Sequence, residues 1–116
     1  MVGFYLMDWL DRNGKKVVGM KVTKIEKLVG EYNIWELEKT PYAKFKIKIY
    51  VSESGSYSGY TNLQVADKNG EFYCGVGWGE TQEQALNDTL DNFSKLLSRK
   101  DNWEETDFLC ADPYDF

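Results

Sequence analysis

The residues able to do chemistry in this chain are few in kind. Histidine is absent from its 116 residues, so the usual general base at neutral pH is missing and every Ser–His or Cys–His arrangement is excluded. Only Cys74 and Cys110 are available as thiols. Without histidine they do not make a zinc ligand set, and Cys74 falls in a strand-like run, where a thiol is ordinarily a small core residue. Asp and Glu number nineteen, but no two of them stand out as an acid–base couple. Asp67-Lys-Asn69-Gly70-Glu71 holds a fragment of a calcium loop, which a hairpin turn explains better. Gly75, Gly77 and Gly79 recur at a spacing of two, which is wrong for a dinucleotide-binding loop. The expectation is a protein that is not an enzyme and carries neither metal nor cofactor.

Charge is the more informative signal. All fourteen bases lie before residue 101, among thirteen acids, while the last sixteen residues hold six acids and no base. This divides the chain into a body, 1–100, and an acidic aromatic tail, 101–116. The tail also carries Trp103, Phe108, Leu109, Tyr114 and Phe116, too many large apolar groups for a solvated extension. Wholly helical, it would offer one charge per about 4 Å, against about 1.7 Å for duplex DNA, so it is a sparse mimic of nucleic acid. Two readings follow. Trp103, Glu104, Glu105, Asp107, Phe108 and Tyr114 dock on a protein partner, helped by Glu80 and Glu83. Otherwise the tail folds back on Arg12–Lys48, which has ten bases against four acids.

Several elements must position these groups. Asn13-Gly14 between two apolar runs, Phe4–Leu10 and Lys15–Val22, signals an N-terminal hairpin. Thr23 and Glu26 fit a capping box, so Lys24 to about Leu37 is expected to hold a helix, or else a strand around Tyr32–Leu37. Phe45, Ile47, Ile49 and Val51 alternate with Lys44, Lys46, Lys48 and Tyr50, the period of a half-buried strand. Ser52–Gly59 is a polar connection and a candidate recognition loop carrying Tyr57. Tyr60–Ala66 and Glu71–Trp78 are two more strands around the Asp67–Gly70 turn, with Leu63, Val65, Phe72, Cys74, Val76 and Trp78 inward. Thr81 and Gln84 cap a long helix, whose stripe runs Ala85, Leu86, Thr89, Leu90, Phe93, Leu96 and Leu97.

The fold expected is α+β: a three-stranded antiparallel meander, extended by the N-terminal hairpin, packed on one C-terminal helix. Parity puts the glycines 75, 77 and 79 on the face away from the helix. Lys44, Lys46, Lys48, Tyr50, Tyr60 and Tyr73 share that face and form a second candidate surface, suited to nucleic acid. The first ten residues are interrupted by Asp8 and lack a basic leader, and no run is long enough to span a membrane. A soluble, cytoplasmic protein is expected.

The passage Gly77-Trp-Gly79-Glu-Thr81-Gln-Glu-Gln-Ala85 resembles the strand-to-helix junction of double-stranded-RNA-binding domains. The likeness covers about residues 24–97 and implies the order helix, three strands, helix. Where that family places phosphate-gripping lysines, this chain has Gln82, Glu83 and Gln84, so RNA binding is not implied. In size, acidity and tyrosine content the chain is similar to the small inhibitors of phages and mobile elements, anti-CRISPR proteins among them. That resemblance implies a protein partner, a host nuclease or its nucleic-acid-binding groove.

Overall fold

A computed structural model describes residues 21–113 and 116. The expected N-terminal hairpin and Tyr114 lie outside these residues. Four strands, β1 (Glu26–Trp35), β2 (Lys44–Ser52), β3 (Tyr57–Ala66) and β4 (Phe72–Gly79), form an antiparallel meander in the order β1-β2-β3-β4. Helix α1 (Gln82–Leu97) packs on one face, and a short β5 (Phe108–Cys110) pairs with β3. The fold is α+β, an antiparallel sheet against one helix.

Within the segment from Lys24 to Leu37 the structure has a strand and no helix, β1 at Glu26–Trp35, which reaches further back than Tyr32 and stops short of Leu37. Val29, Tyr32, Ile34 and Trp35 are β-branched or aromatic, and Tyr32 and Ile34 lie opposite Ile47 and Phe45 in the register. Adding them to the sheet covers the buried row Phe45, Ile47, Ile49 and Val51, which outweighs a local cap at Thr23. The polar connection after β2 is a tight turn at Gly55, whose φ is 90°, and Tyr57 belongs to β3. It is half-buried against the core, so the expected recognition loop is reduced to four residues.

On β4 the expected parity is reversed. Gly75, Gly77 and Gly79 face α1, and Phe72, Cys74, Val76 and Trp78 point the other way. A Cβ at Gly75 would stand 2.6 Å from that of Phe93, one at Gly79 would stand 2.6 Å from that of Gln84, and one at Gly77 would collide with the backbone nitrogen of Thr89. The helix therefore rests on bare strand backbone, an approach open only to residues without a side chain. Ala85 and Thr89 keep the helix side thin at this contact, and further along Phe93 and Leu97 meet Phe45, Leu63, Val65 and Phe108. Each large apolar side chain buried there stabilises the fold by about 1.5–3 kcal/mol.

The cap at Thr81 forms as the sequence indicates. Its hydroxyl accepts from the Gln84 N–H at 3.1 Å, and the Gln84 side chain accepts from Glu80 N–H at 2.9 Å. The 67–70 turn also forms. The Asp67 carboxylate accepts from the N–H groups of Asn69 and Glu71, and Gly70 takes a φ of 81°.

The β3–β4 ladder is irregular between Tyr60 and Gln64, and a hydroxyl repairs it. Thr61 Oγ1 accepts from Gly75 N–H at 2.8 Å and donates to Leu63 C=O at 2.7 Å, with both groups buried. Thr61→Val keeps the shape and strands a buried N–H, so thermal unfolding should show a loss of about 1–3 kcal/mol. Unchanged stability would show that the ladder does not depend on this hydroxyl.

Candidate interaction surfaces

The acidic tail is tied to the body by its aromatic residues. Leu63, Gln64 and Val65 of β3 pair with Cys110, Leu109 and Phe108, and Ala111 N–H donates to Asn62 C=O at 2.8 Å. Phe108 is only 6% exposed. Its ring meets Trp103 at 5.8 Å and Tyr42 at 6.4 Å, both edge-on. Trp103 donates its indole N–H to Leu97 C=O at 2.9 Å, closing the end of α1. Asp107 is likewise occupied. It accepts from Glu104 N–H at 2.9 Å and from the Lys100 ammonium at 3.1 Å, and these two partners, the backbone donor foremost, hold its carboxyl below the usual range. Trp103, Asp107 and Phe108 thus serve the fold, and a buried Phe108 is in no position to insert into a partner. Glu104 and Glu105 remain exposed.

Glu80 and Glu83 are exposed at the opposite end of α1, sixteen helical residues or about 24 Å away. The acids expected to act together therefore form two separate poles. At the first pole the structure adds a residue that sequence parity had placed in the core. Trp78 is 61% exposed and shares a shallow surface depression with Gln84, Asn87, Asp88 and Asp91. Its backbone N–H donates to the Asp88 carboxylate at 2.9 Å, and Asn92 donates to Val76 C=O at 2.7 Å. Side chains of α1 thereby occupy outward backbone groups of the β4 edge. Asp88 and Asp91 are additions to the expected site. Asp91 was legible in the sequence, since it continues from Glu83 through Asn87 at helical spacing on the side away from the apolar stripe.

The other sheet face, which no described helix covers, is the expected Lys/Tyr surface with one departure. Lys44, Lys46, Lys48 and Tyr50 share it with Tyr60, the register partner of Lys48. The Tyr50 and Tyr60 rings meet edge-on at 6.0 Å, and burial raises the Tyr50 pKa, with Glu26 adding to it. Tyr73 does not join them. It pairs with Val65, on the helix side, and its hydroxyl donates to the Glu71 carboxylate at 2.7 Å, which raises its pKa. The three lysines are engaged. Lys44 sits 5.2 Å over the ring of Trp35, which is 67% exposed, and Lys46 pairs with Glu31 at 3.6 Å. Lys48 donates to Phe116 C=O at 2.9 Å and lies 4.6 Å over its ring.

Cys74 lies half-buried on this face, with desolvation raising its pKa and favouring the thiol. Cys110 aligns with Leu63 and Cys74 with Gln64, so the thiols point to opposite faces from strands on either side of β3. That geometry forbids a disulfide between them. Among the described residues no cluster of three metal-binding side chains occurs, and no helix is long and apolar enough to cross a membrane. No protein family, no characterised protein and no solved structure matches the chain.

Two consequences are measurable. Because the Asp107 pKa is depressed by folding, its contribution is present above the ordinary carboxylate value of 3.8 and is lost as pH falls through the lower folded value. Asp107→Asn should be less stable than wild type at neutral pH, and denaturation curves taken at falling pH should converge; a constant gap would exclude the ionised pairing. On the β4 edge, Asp88→Ala with Asn92→Ala frees backbone groups that water reaches, costing about 0.5–1.5 kcal/mol each. Light scattering should show increased self-association, and a variant as monodisperse as wild type would show that the edge needs no such cover.

Proposed function

We propose that this protein is a non-enzymatic binding protein that inhibits a nucleic-acid-handling enzyme by occupying its basic groove. The observation that carries the reading is Trp78, a large aromatic residue left exposed in one shallow depression with Asp88 and Asp91, while Glu80 and Glu83 are exposed at the start of α1. Aromatic anchors ringed by steering charges are the usual composition of an energetic centre in a protein interface. The acids raise the rate of encounter with a basic surface, the indole supplies apolar contact, and nucleic acid is excluded by bulk and by like charge. Glu104 and Glu105, at the far pole of α1, reach the same partner only if its basic surface extends about 24 Å. Size, acidity and aromatic content support an origin among phage or mobile-element inhibitors of the anti-CRISPR kind, and a site of action in the host cytoplasm.

One observation favours a second reading, nucleic-acid binding on the open sheet face: Lys44, Lys46 and Lys48 do share that face with Tyr50 and Tyr60. Their engagement with Trp35, Glu31 and Phe116 weakens it.

A pull-down from bacterial lysate, analysed by mass spectrometry, separates the two. The inhibitor reading expects a nucleic-acid-handling enzyme held by wild type and lost with Trp78→Ala or with Glu80→Lys and Glu83→Lys together. Recovery of oligonucleotide alone, abolished by substituting the three lysines and falling steeply with salt, would overturn it in favour of the second.

A further inference from the structure

A cavity of about 590 Å³ opens between the β3–β4 turn and the segment that joins α1 to β5, lined by Ala66, Asp67, Lys68, Arg99, Lys100, Trp103 and Asp107. Its size lies within the range of about 300–1,000 Å³ typical of small-molecule sites. The charges lining it are not equivalent. Both carboxylates are turned to internal donors, Asp67 to the N–H groups of Asn69 and Glu71, and Asp107 to Glu104 N–H and Lys100. The side chains of Lys68 and Arg99 make no ion pair with any described residue. What the cleft offers a ligand is therefore two free cations, the methyl of Ala66 and the part of the Trp103 indole left open by the Lys100 ammonium, which lies over its ring at 5.2 Å.

Nearby groups that would oppose an anion are muted or set aside. The carbonyls that end α1 would carry partial negative charge toward this side. Leu97 C=O, however, accepts the Trp103 indole N–H, and those of Ser94 and Leu96 accept from the backbone of Ser98 and Arg99. Asp101, Glu104 and Glu105 are exposed but do not line the cavity. Arg99 presents a planar fork suited to two oxygens of one head group, and Lys68 adds a mobile point charge from the turn.

We propose that this cleft binds a small planar organic anion, an aromatic ring bearing a phosphate or carboxylate, with the ring against Trp103 and the head group on Arg99 and Lys68. The site is independent of the surface around Trp78. It stands at the tail end of α1, and its occupancy would bear on the junction where the acidic tail is anchored.

The test is an NMR titration of the full-length chain with phenyl phosphate and with benzoate, benzyl alcohol serving as the ring without the charge. The Trp103 indole N–H and the Arg99 and Lys68 amides should shift saturably with at least one of the anions, and the stronger anion identifies the head group. Arg99→Glu should weaken binding by about tenfold or more, the loss expected when a charge-assisted hydrogen bond is removed. Because Arg99 is exposed, the variant should stay folded, with a melting point lowered only slightly by the new carboxylate at the C-terminal end of α1. Failure of both anions to shift these signals, equal binding of benzyl alcohol, or undiminished affinity in a folded Arg99→Glu variant would each overturn the proposal.

Discussion

The contact of α1 with the backbone of β4 governs the arrangement of this molecule. Gly75, Gly77 and Gly79 let the helix settle to backbone distance, and Ala85 and Thr89 are small enough to permit it. A helix set this low over β4 lies at one side of the sheet. It can reach around the edge strand, where Asp88 and Asn92 take up backbone groups of Trp78 and Val76. The same contact turns Cys74, Val76 and Trp78 to the opposite face. The exposed indole on which the functional reading rests is thus a by-product of glycine packing.

At the other end of the helix the packing changes character. Phe93 and Leu97 replace the small residues, and the gap they leave toward β2 and β3 is filled from the tail by Phe108 and Trp103. A segment that is the most acidic part of the chain is in this way fastened to the body by its apolar residues. Its charges settle the local geometry, as Asp107 does with Lys100 and with Glu104 N–H, or remain exposed, as with Glu104 and Glu105. Acidity in the sequence and acidity available to a partner are therefore different quantities. Division of the exposed acids between two poles of one helix limits any partner that uses both to an extended basic surface.

Some features were legible because their information is local. The alternation from Lys44 to Val51 specifies a strand and its buried side, since apolar and charged residues strictly exchange places. Thr81 with Gln84, and Asp67 with Gly70, specify a helix start and a turn through hydrogen bonds that span four residues or fewer. In β4 the same rule of alternation failed. Its apolar residues faced away from the helix, because a glycine contributes to a core through closeness of backbone and leaves no hydrophobic mark in the sequence. The same reversal places Tyr73 on the helix side and leaves Trp78, whose alternation predicts burial, exposed. For β1, a plausible local cap at Thr23 competed with strand formation, and only the uncovered row of β2 decided between them.

Taken alone, the sequence determined the absence of histidine-based chemistry, the concentration of acids after residue 100, the α+β class, and the positions of three strands, one turn and one capped helix. Tertiary structure decided which face of β4 is buried, that Trp103 and Phe108 anchor while Trp78 is displayed, and that Lys68 and Arg99 converge from distant turns on one cleft. The physical reason is range. Caps, turns and alternation are settled between neighbours along the chain, whereas burial of a glycine face and pairing of a tail strand depend on surfaces that meet only after the chain has folded.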